Sequence, residues 1–392
     1  MPLGAICRQD RQIVEPGSRE ASDLPYLGLE HVESQTGCIL KQTETPVEDE
    51  GKSTTFRFDT RHVLYGKLRP YLNKVALPDF AGRCTTEMIP LLPAEGVDRA
   101  FLAWVLRREE TIAWALRQNT GSRMPRADMD SLLTLEIPLP PLAEQERIAG
   151  RLTEQLAAVE RARTAVEARL AAAEALPAAL LREVFEGPEA SGWERQTLGR
   201  LCTKLTDGTH RSPKNDLPPE RGVPYITSKN VRRFRLDLRN VTYVSQKDHD
   251  EIFARCDPRP GDVLYTKDGA MLGLAAVNTL EYPFSLLSSV ALIRPRPDVL
   301  DSEFLVAWLN APGTYRGIVE SQLGAAIQRL ILDQIKNFEV PLPPLPTQRR
   351  LAAELTQTLA AAEGVIARCR EELAAIEALS AALLREAFQG AN

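Results

Sequence analysis

Residues 136–152, EIPLPPLAEQERIAGRL, return as residues 339–355, EVPLPPLPTQRRLAAEL. The displacement is 339 − 136 = 203 positions. It holds without a gap from 136–187 to 339–390, with slightly more than half of the paired positions identical. ALPAALLREVFEG (175–187) comes back as ALSAALLREAFQG (378–390). A repeat of this length is too long for a solenoid, so it indicates a duplicated domain together with its connector. The preceding material matches more faintly: LPYLGLEHV (24–32) with VPYITSKNV (223–231), VLYGK (63–67) with VLYTK (263–267), and RAFLAWVL (99–106) with SEFLVAWL (302–309). The offsets drift between 199 and 203, so the framework persists while the loops differ, as expected of one scaffold carrying two working surfaces.

Each repeat leads from a PLPPL run into an alanine- and leucine-rich helix. Prolines cannot sit inside a ladder or a helix, so they make a stiff, extended entry. In the first helix Ile148, Leu152, Gln155, Val159, Val166, Leu170 and Ala173 recur at alternating three- and four-residue steps. Leu351, Leu355, Ala362, Ile366, Cys369, Leu373 and Ile376 do so in the second. This is a coiled-coil seam. A helix over 143–175 would run about 50 Å. Pro177 predicts a break, with a short terminal helix carrying Leu180, Leu181 and Phe185, and Gly187 and Gly390 read as helix stops. Neither seam can bury itself alone, but two equivalent seams in one chain can bury each other. The globular parts mix short β-rich pieces (Phe56–Phe58, Val63–Tyr65, Val241–Val244, Val263–Tyr265, Val290–Ile293) with helical pieces at 99–118 and 301–320. The expected fold is α+β: two similar globular domains, 1–135 and 191–338, separated by two long antiparallel helices, within 136–190 and 339–392, that form an intramolecular coiled coil.

Composition closes off several function classes. Hydrophobic residues make up 44% and charged residues 26%, ordinary for a soluble globular chain, and no apolar run approaches a membrane span. The N-terminus, MPLGAICRQDRQ, lacks a basic region followed by an apolar core, so no secretory signal is expected. Six scattered cysteines form neither CxxC pairs nor metal-ligand clusters, which points to reduced thiols in the cytoplasm and no metal site. The net charge is −5, but it is unevenly spread: 6 basic against 10 acidic residues in 136–190, and 19 against 17 in 191–335. A nucleic-acid reader with this balance must gather its bases on one face.

Catalytic motifs fail on inspection. GKST (51–54) resembles the tail of a phosphate-binding loop, but the required glycine five residues earlier is Pro46, and TTFRFDT reads as a strand. GAMLG (269–273) has hairpin-loop glycines without GxGxxG spacing. PLPPL could serve a proline-recognising module, yet its recurrence at a domain-to-helix junction favours a structural joint. His31, His62, His210 and His249 are far apart and accompany no serine or cysteine signature. No catalytic residues are therefore assigned.

Taken together, PLPPLAEQERIAGRL and PLPPLPTQRRLAAEL, the ALLREVFEG and ALLREAFQG helix ends, and TDGTHRSP (206–213) followed by VPYITSKNV and RPGDVLYTKDG give the chain a family likeness. It resembles the specificity subunit of type I restriction–modification systems over essentially its whole length, in the order target-recognition domain, helical region, target-recognition domain, helical region. The first unit departs from the pattern by lacking a DGTH segment, and its start, residues 1–22, is hard to place. The resemblance implies a non-catalytic subunit whose two domains each read half of a split, asymmetric site in double-stranded DNA. The helices would fix the spacing and dock two modification subunits that methylate adenine. Two restriction subunits would complete the complex. S-adenosylmethionine, ATP and Mg would belong to those partners, with no cofactor bound by this chain. The competing readings are a coiled-coil adaptor that bridges two proteins without touching DNA, and an enzyme whose site no motif reveals.

Phosphate contacts come from Lys and Arg, and base readout from Arg, Lys, Asn, Gln, Ser and Thr. In the second unit the candidates are Thr209, His210 and Arg211; Thr227, Ser228, Lys229, Asn230 and Arg232; Lys267; and Gln328 with Arg329. In the first they are Glu30 and His31, Lys67 and Arg69, and Ser122, Arg123 and Arg126. Both copies place a lysine after VLY, which singles out Lys67 and Lys267.

Overall fold

The computed structural model describes residues 1–40, 53–117, 124–320 and 329–389. It falls into two compact units: Met1–Val166 with Glu372–Asn392, and Glu167–Glu371. The fold is α+β in each.

In the first unit, strands Cys7–Gln9, Met88–Pro93, Val63–Gly66 and Val75–Ala76 form an antiparallel sheet in that order. A second sheet runs Ile13–Val14, Thr55–Phe58, Gly82–Thr85 and Tyr26–Leu27, the last pair parallel. In the second unit the order Cys202–Asp207, Val290–Pro295, Val263–Thr266, Ala275–Val277 repeats the first of these sheets. The registers coincide as well: Val63 faces Leu91 and Val263 faces Ile293. The first residues of the segment 1–22, which sequence matching could not place, have their counterpart here. Leu3 N donates to Leu135 O at 2.8 Å and Leu198 N to Phe338 O at 2.8 Å, so the short helices Leu3–Ile6 and Leu198–Leu201 are equivalent.

The two helical pieces each divide in two. Arg99–Arg107 is followed by Glu109–Arg117, and Ser302–Asn310 by Pro312–Glu320. The single residues between them, Arg108 and Ala311, are extended (ψ 147° and 139°), the conformation that a following proline favours at Ala311.

The long helices are Leu142–Glu186 and Leu345–Gln389, 45 residues each, about 68 Å at 1.5 Å per residue. The break expected at Pro177 is absent, because the helix continues through it. The residues beyond it are the reason. Leu181 and Phe185 are buried in the second unit's core with Phe304 and Leu201, and this burial outweighs the helical hydrogen bond that proline cannot make. At the equivalent position of the other helix Ser380 donates its hydroxyl to Ile376 O at 3.2 Å. The first helix stops before Gly187, where a Cβ would lie 2.1 Å from the Glu183 carbonyl oxygen. Gly390 lies outside the described residues.

The seam residues are buried or half-buried, with one correction: Gln155 is exposed, and Leu156 packs inward instead. Their partners are also mixed. Ile148 and Leu152 join the first unit's core together with Ala387 and Phe388 from the end of the second helix. Leu351 and Leu355 join the second unit's core. Helix pairs with helix further along: within the second unit Arg169 Nε donates to the buried Cys369 Sγ at 3.2 Å, and Arg370 pairs with Glu174 at 2.9 Å. Val159, Val166, Leu170, Ile366, Leu373 and Ile376 are buried or half-buried along the same helices.

The repeated glutamine of the PLPPL motifs explains why the entry is duplicated so closely. Gln145 is 1% exposed. It accepts from Asp98 N (2.9 Å) and donates to Gly96 O (3.2 Å) and Pro140 O (2.8 Å). Gln348, 0% exposed, does the same with Asp301 N (2.9 Å), Val299 O (3.0 Å) and Pro343 O (2.9 Å). Asp98 and Asp301 in turn cap the helices that follow, through Phe101 N and Phe304 N. One amide thus ties the proline run, the preceding turn and a helix N-terminus into a joint.

Candidate nucleic-acid interface

In the second unit the turn at residues 286–289 gathers the loops that carry the candidate side chains. Thr209 N donates to Leu286 O (2.8 Å), and Ser288 N donates back to Thr209 O (2.9 Å). Leu287 N donates to Ile226 O (3.0 Å), Ser228 N to Ser289 Oγ (3.1 Å) and Lys267 N to Ser289 O (2.9 Å). Leu330 N closes the set on Lys267 O at 2.7 Å. Thr209, Ser228, Lys267 and Arg329, spread over 121 positions (329 − 208), are therefore knitted into one edge.

The charges at that edge are organised by Asp207, which no sequence reading selected. It is 2% exposed and meets three basic side chains: Arg255 Nη2 at 2.7 Å, His210 Nε2 at 3.1 Å and Lys267 Nζ at 3.3 Å. Burial works to raise its pKa. The hydrogen bond from Arg255 and the charges of Lys267 and His210 outweigh burial and hold the carboxyl below its ordinary value. The only advance signal was its place in DGTH.

Lys267, favoured among the candidate DNA contacts, is 3% exposed and points at Asp207, so it braces the edge from within. Asn230 is likewise turned inward. It is 3% exposed, its Oδ1 accepts from Thr227 N (3.0 Å) and Thr227 Oγ1 (3.2 Å), and its Nδ2 donates to Asp237 O (3.1 Å). Both departures have one cause: buried and exposed polar residues are alike in sequence, and a buried one must be paired. Lys229, His210 and Arg211 are exposed, the last beside Glu251 at 3.1 Å. Thr227, Ser228, Thr209 and Arg232 are half-buried, with Arg232 donating to Val231 O. Arg329 is half-exposed and only 3.9 Å from Asp268. Gln328 lies outside the described residues.

The first unit builds the same edge with different chemistry. Lys67 N donates to Glu87 O (2.9 Å) and Ala127 N to Lys67 O (2.8 Å), matching the bonds around Lys267, and Arg126 takes the place of Arg329. Its strand Cys7–Gln9 ends before the position of Asp207, so Lys67 is half-buried without that acid. Arg126 pairs with Glu87 at 3.0 Å. Arg69 is exposed at φ +51°, a left-handed backbone that costs a non-glycine residue about 1–3 kcal/mol and concentrates at working sites. His31 is tied down, its Nδ1 accepting from Gly28 N at 3.0 Å, while Glu30 is exposed. Ser122 and Arg123 lie outside the described residues.

The remaining histidines have structural partners. His62 is buried between Asp10 and Asp59, each at 3.1 Å. His249 Nδ1 meets Ser285 Oγ at 3.0 Å, a pairing invisible in sequence, but Ser285 is 0% exposed and no substrate could reach it. Among the described residues no cluster of His, Cys, Asp or Glu could hold a metal ion, and no helix is long and apolar enough to cross a membrane.

A family model described as "Type I restriction modification DNA specificity domain" matches residues 19–167 and again 190–368. The chain belongs to that family. Similar curated proteins include specificity subunits of type I restriction enzymes from Escherichia coli. The EcoDI subunit is 30% identical over 191 residues, covering 47% of this chain and 42% of that protein. The EcoBI subunit is 26% identical over 301 residues, covering 70% and 62%. The chain thus spans less than two thirds of the length of these relatives. Two solved structures share the fold. One is from the type I R-M system whose complex assembly and conformational transition were described, with TM-score 0.70, 22% identity and coverage of 100% of this chain and 97% of that one. The other is the HsdS subunit of Thermoanaerobacter tengcongensis, with TM-score 0.62, 23% identity and coverage of 100% and 96%.

Proposed function

We propose that this chain is the non-catalytic DNA-specificity subunit of a type I restriction–modification complex. Each globular unit reads one half of a split, asymmetric site in double-stranded DNA. The long helices set the gap between the halves and dock two modification subunits, and two restriction subunits complete the assembly in the cytoplasm. Adenine methylation and DNA translocation, with their S-adenosylmethionine, ATP and Mg, belong to those partners.

The supporting observation is the edge built twice, once around Lys67 and Arg126 and once around Lys267 and Arg329, on the same backbone bonds but with different acidic partners, Glu87 in one and Asp207 and Asp268 in the other. Equal scaffolds with unequal loops suit two readers of unlike half-sites. Two readers on one stiff connector gain effective concentration only at the matching spacing, which makes the gap part of the recognition. Equivalent helices offer the same surface twice and suit two copies of one partner.

The assembled complex is the right test object. Its affinity for a duplex carrying the site should fall steeply and linearly with log salt concentration. It should also fall when the gap is lengthened by one base pair. Affinity indifferent to both would remove DNA reading and leave the adaptor.

A further inference from the structure

One turn is built on the same backbone in both units but carries opposite charge. In the second unit Asn230 Oδ1 accepts from Thr227 N at 3.0 Å, and in the first His31 Nδ1 accepts from Gly28 N at 3.0 Å. A hairpin follows each turn, with Val231 paired to Leu236 in one and Val32 to Ile39 in the other. Glu30 therefore stands where Lys229 stands, and Glu33 where Arg232 stands. The contrast runs through the whole segment. Residues 227–240 hold five basic side chains and one acid, whereas residues 28–40 hold two acids and no Lys or Arg.

The single acid, Asp237, is neutralised within the hairpin, 2.8 Å from Arg239 and 3.9 Å from Arg232. Lys229, Arg233 and Arg235 are left over. Lys229 is exposed and has no ion pair among the described residues. The Arg233 guanidinium lies over the Tyr315 ring at 5.0 Å, which steadies it without cancelling its charge. Arg235 comes no closer than 3.7 Å to Glu363, and both side chains are more than half exposed, so water screens the pair. The segment is fastened to the edge described above: Ser228 N donates to Ser289 Oγ at 3.1 Å, and Asp237 N donates to Asn230 O at 2.7 Å.

We propose that Lys229 and the hairpin Val231–Leu236 grip the phosphate backbone of the duplex beside the second unit's half-site, and that the first unit has no such grip. This rests on the reading of the chain as a DNA-specificity subunit. Like charges crowded on one short hairpin repel one another until a polyanion offsets them, and phosphate is the polyanion that a DNA-reading edge meets. Such contacts position a protein on DNA without reading sequence. The two units consequently hold the duplex unequally: the second supplies a sequence-independent attraction that the acidic turn of the first does not.

The test is made on the assembled complex with Lys229→Gln, Arg233→Gln and Arg235→Gln combined. The slope of log affinity against log salt should become shallower by about 0.9 per phosphate contact, or about 2.7 for all three. The methylated motif and the mass of the complex by light scattering should stay unchanged. Where the triple variant fails to fold, Lys229→Gln decides alone, with a fall of about 0.9. An unchanged slope, while the unmodified complex keeps its steep salt dependence, overturns the inference and leaves the DNA reading standing. A relaxed motif would make these residues base readers, and a complex that loses a subunit would make the hairpin a protein contact; either overturns it. An unmodified complex without salt-dependent binding would remove the DNA reading itself, and the inference with it.

Discussion

Asp207 is the residue on which the second unit's edge turns. Lys267 is 3% exposed, and removing its counter-charge would strand it. Breaking such a buried pair costs about 3–5 kcal/mol, so Asp207→Asn should lower unfolding stability by that order in urea titration at neutral pH. The double variant Asp207→Asn, Lys267→Met should recover most of the loss. Because the carboxyl's pKa is lowered on folding, its contribution is complete above the ordinary Asp value of about 4 and is lost as pH falls through the lowered one. The Asn variant should accordingly show a flatter acid limb of stability against pH. Arg329 is the opposite case, half-exposed and loosely paired. Arg329→Ala should leave stability within about 0.5 kcal/mol. In the assembled complex it should weaken specific DNA binding by about 1–3 kcal/mol and relax one base if the contact is to a base. Unchanged affinity and unchanged base preference would take Arg329 out of the interface. Sequence reading chose loops that the fold brings together, since VLYTKDG and DGTH lie at the joined edge, but it could not separate a buried brace from an exposed side chain. That distinction is burial, and burial of Lys267 depends on Asp207, 60 positions away (267 − 207).

At the scale of elements, the joint and the helix carry the predictions. Gln145→Leu and Gln348→Leu each remove the partner of one part-buried N–H and two carbonyls, a loss of about 1–3 kcal/mol in all, since water reaches some of these groups. Both should lower the melting temperature markedly, and a neutral result would remove the glutamine from the joint. Pro177 sits inside a continuous helix, where proline costs about 3 kcal/mol. Pro177→Ala should therefore stabilise the chain, and Ser380→Pro should destabilise it, both read by thermal unfolding. The long helices were legible because the repeat and the seam reinforce each other over dozens of residues. The glutamine was legible in principle: with Arg147 and Arg350, it is one of two polar residues both copies keep between the proline run and the seam. The continuity at Pro177 was not, because it is decided by the burial of Leu181 and Phe185 in a core formed largely by residues more than a hundred positions downstream.

For the whole molecule, the duplication is the fact that organises the rest. Two units that repeat one four-stranded sheet, connected in the chain by the two long helices, account for the repeated motifs and the twin edges. The short start of the first unit escaped sequence matching because its kinship is confined to a few residues, LGAIC (3–7) against LGRLC (198–202), beside the matching backbone hydrogen bonds. What the loops recognise was never legible, since specificity lies in the few side chains that differ. The central claim, that two separate readers are held at a set spacing, is tested most directly by mapping methylated adenines across the genome of a cell carrying the intact system, before and after residues 191–338 are replaced by the corresponding part of another specificity subunit. The account predicts a split motif with a fixed gap, in which the replacement changes one half and leaves the other half and the gap intact. A continuous motif, or a replacement that alters both halves together, would contradict it.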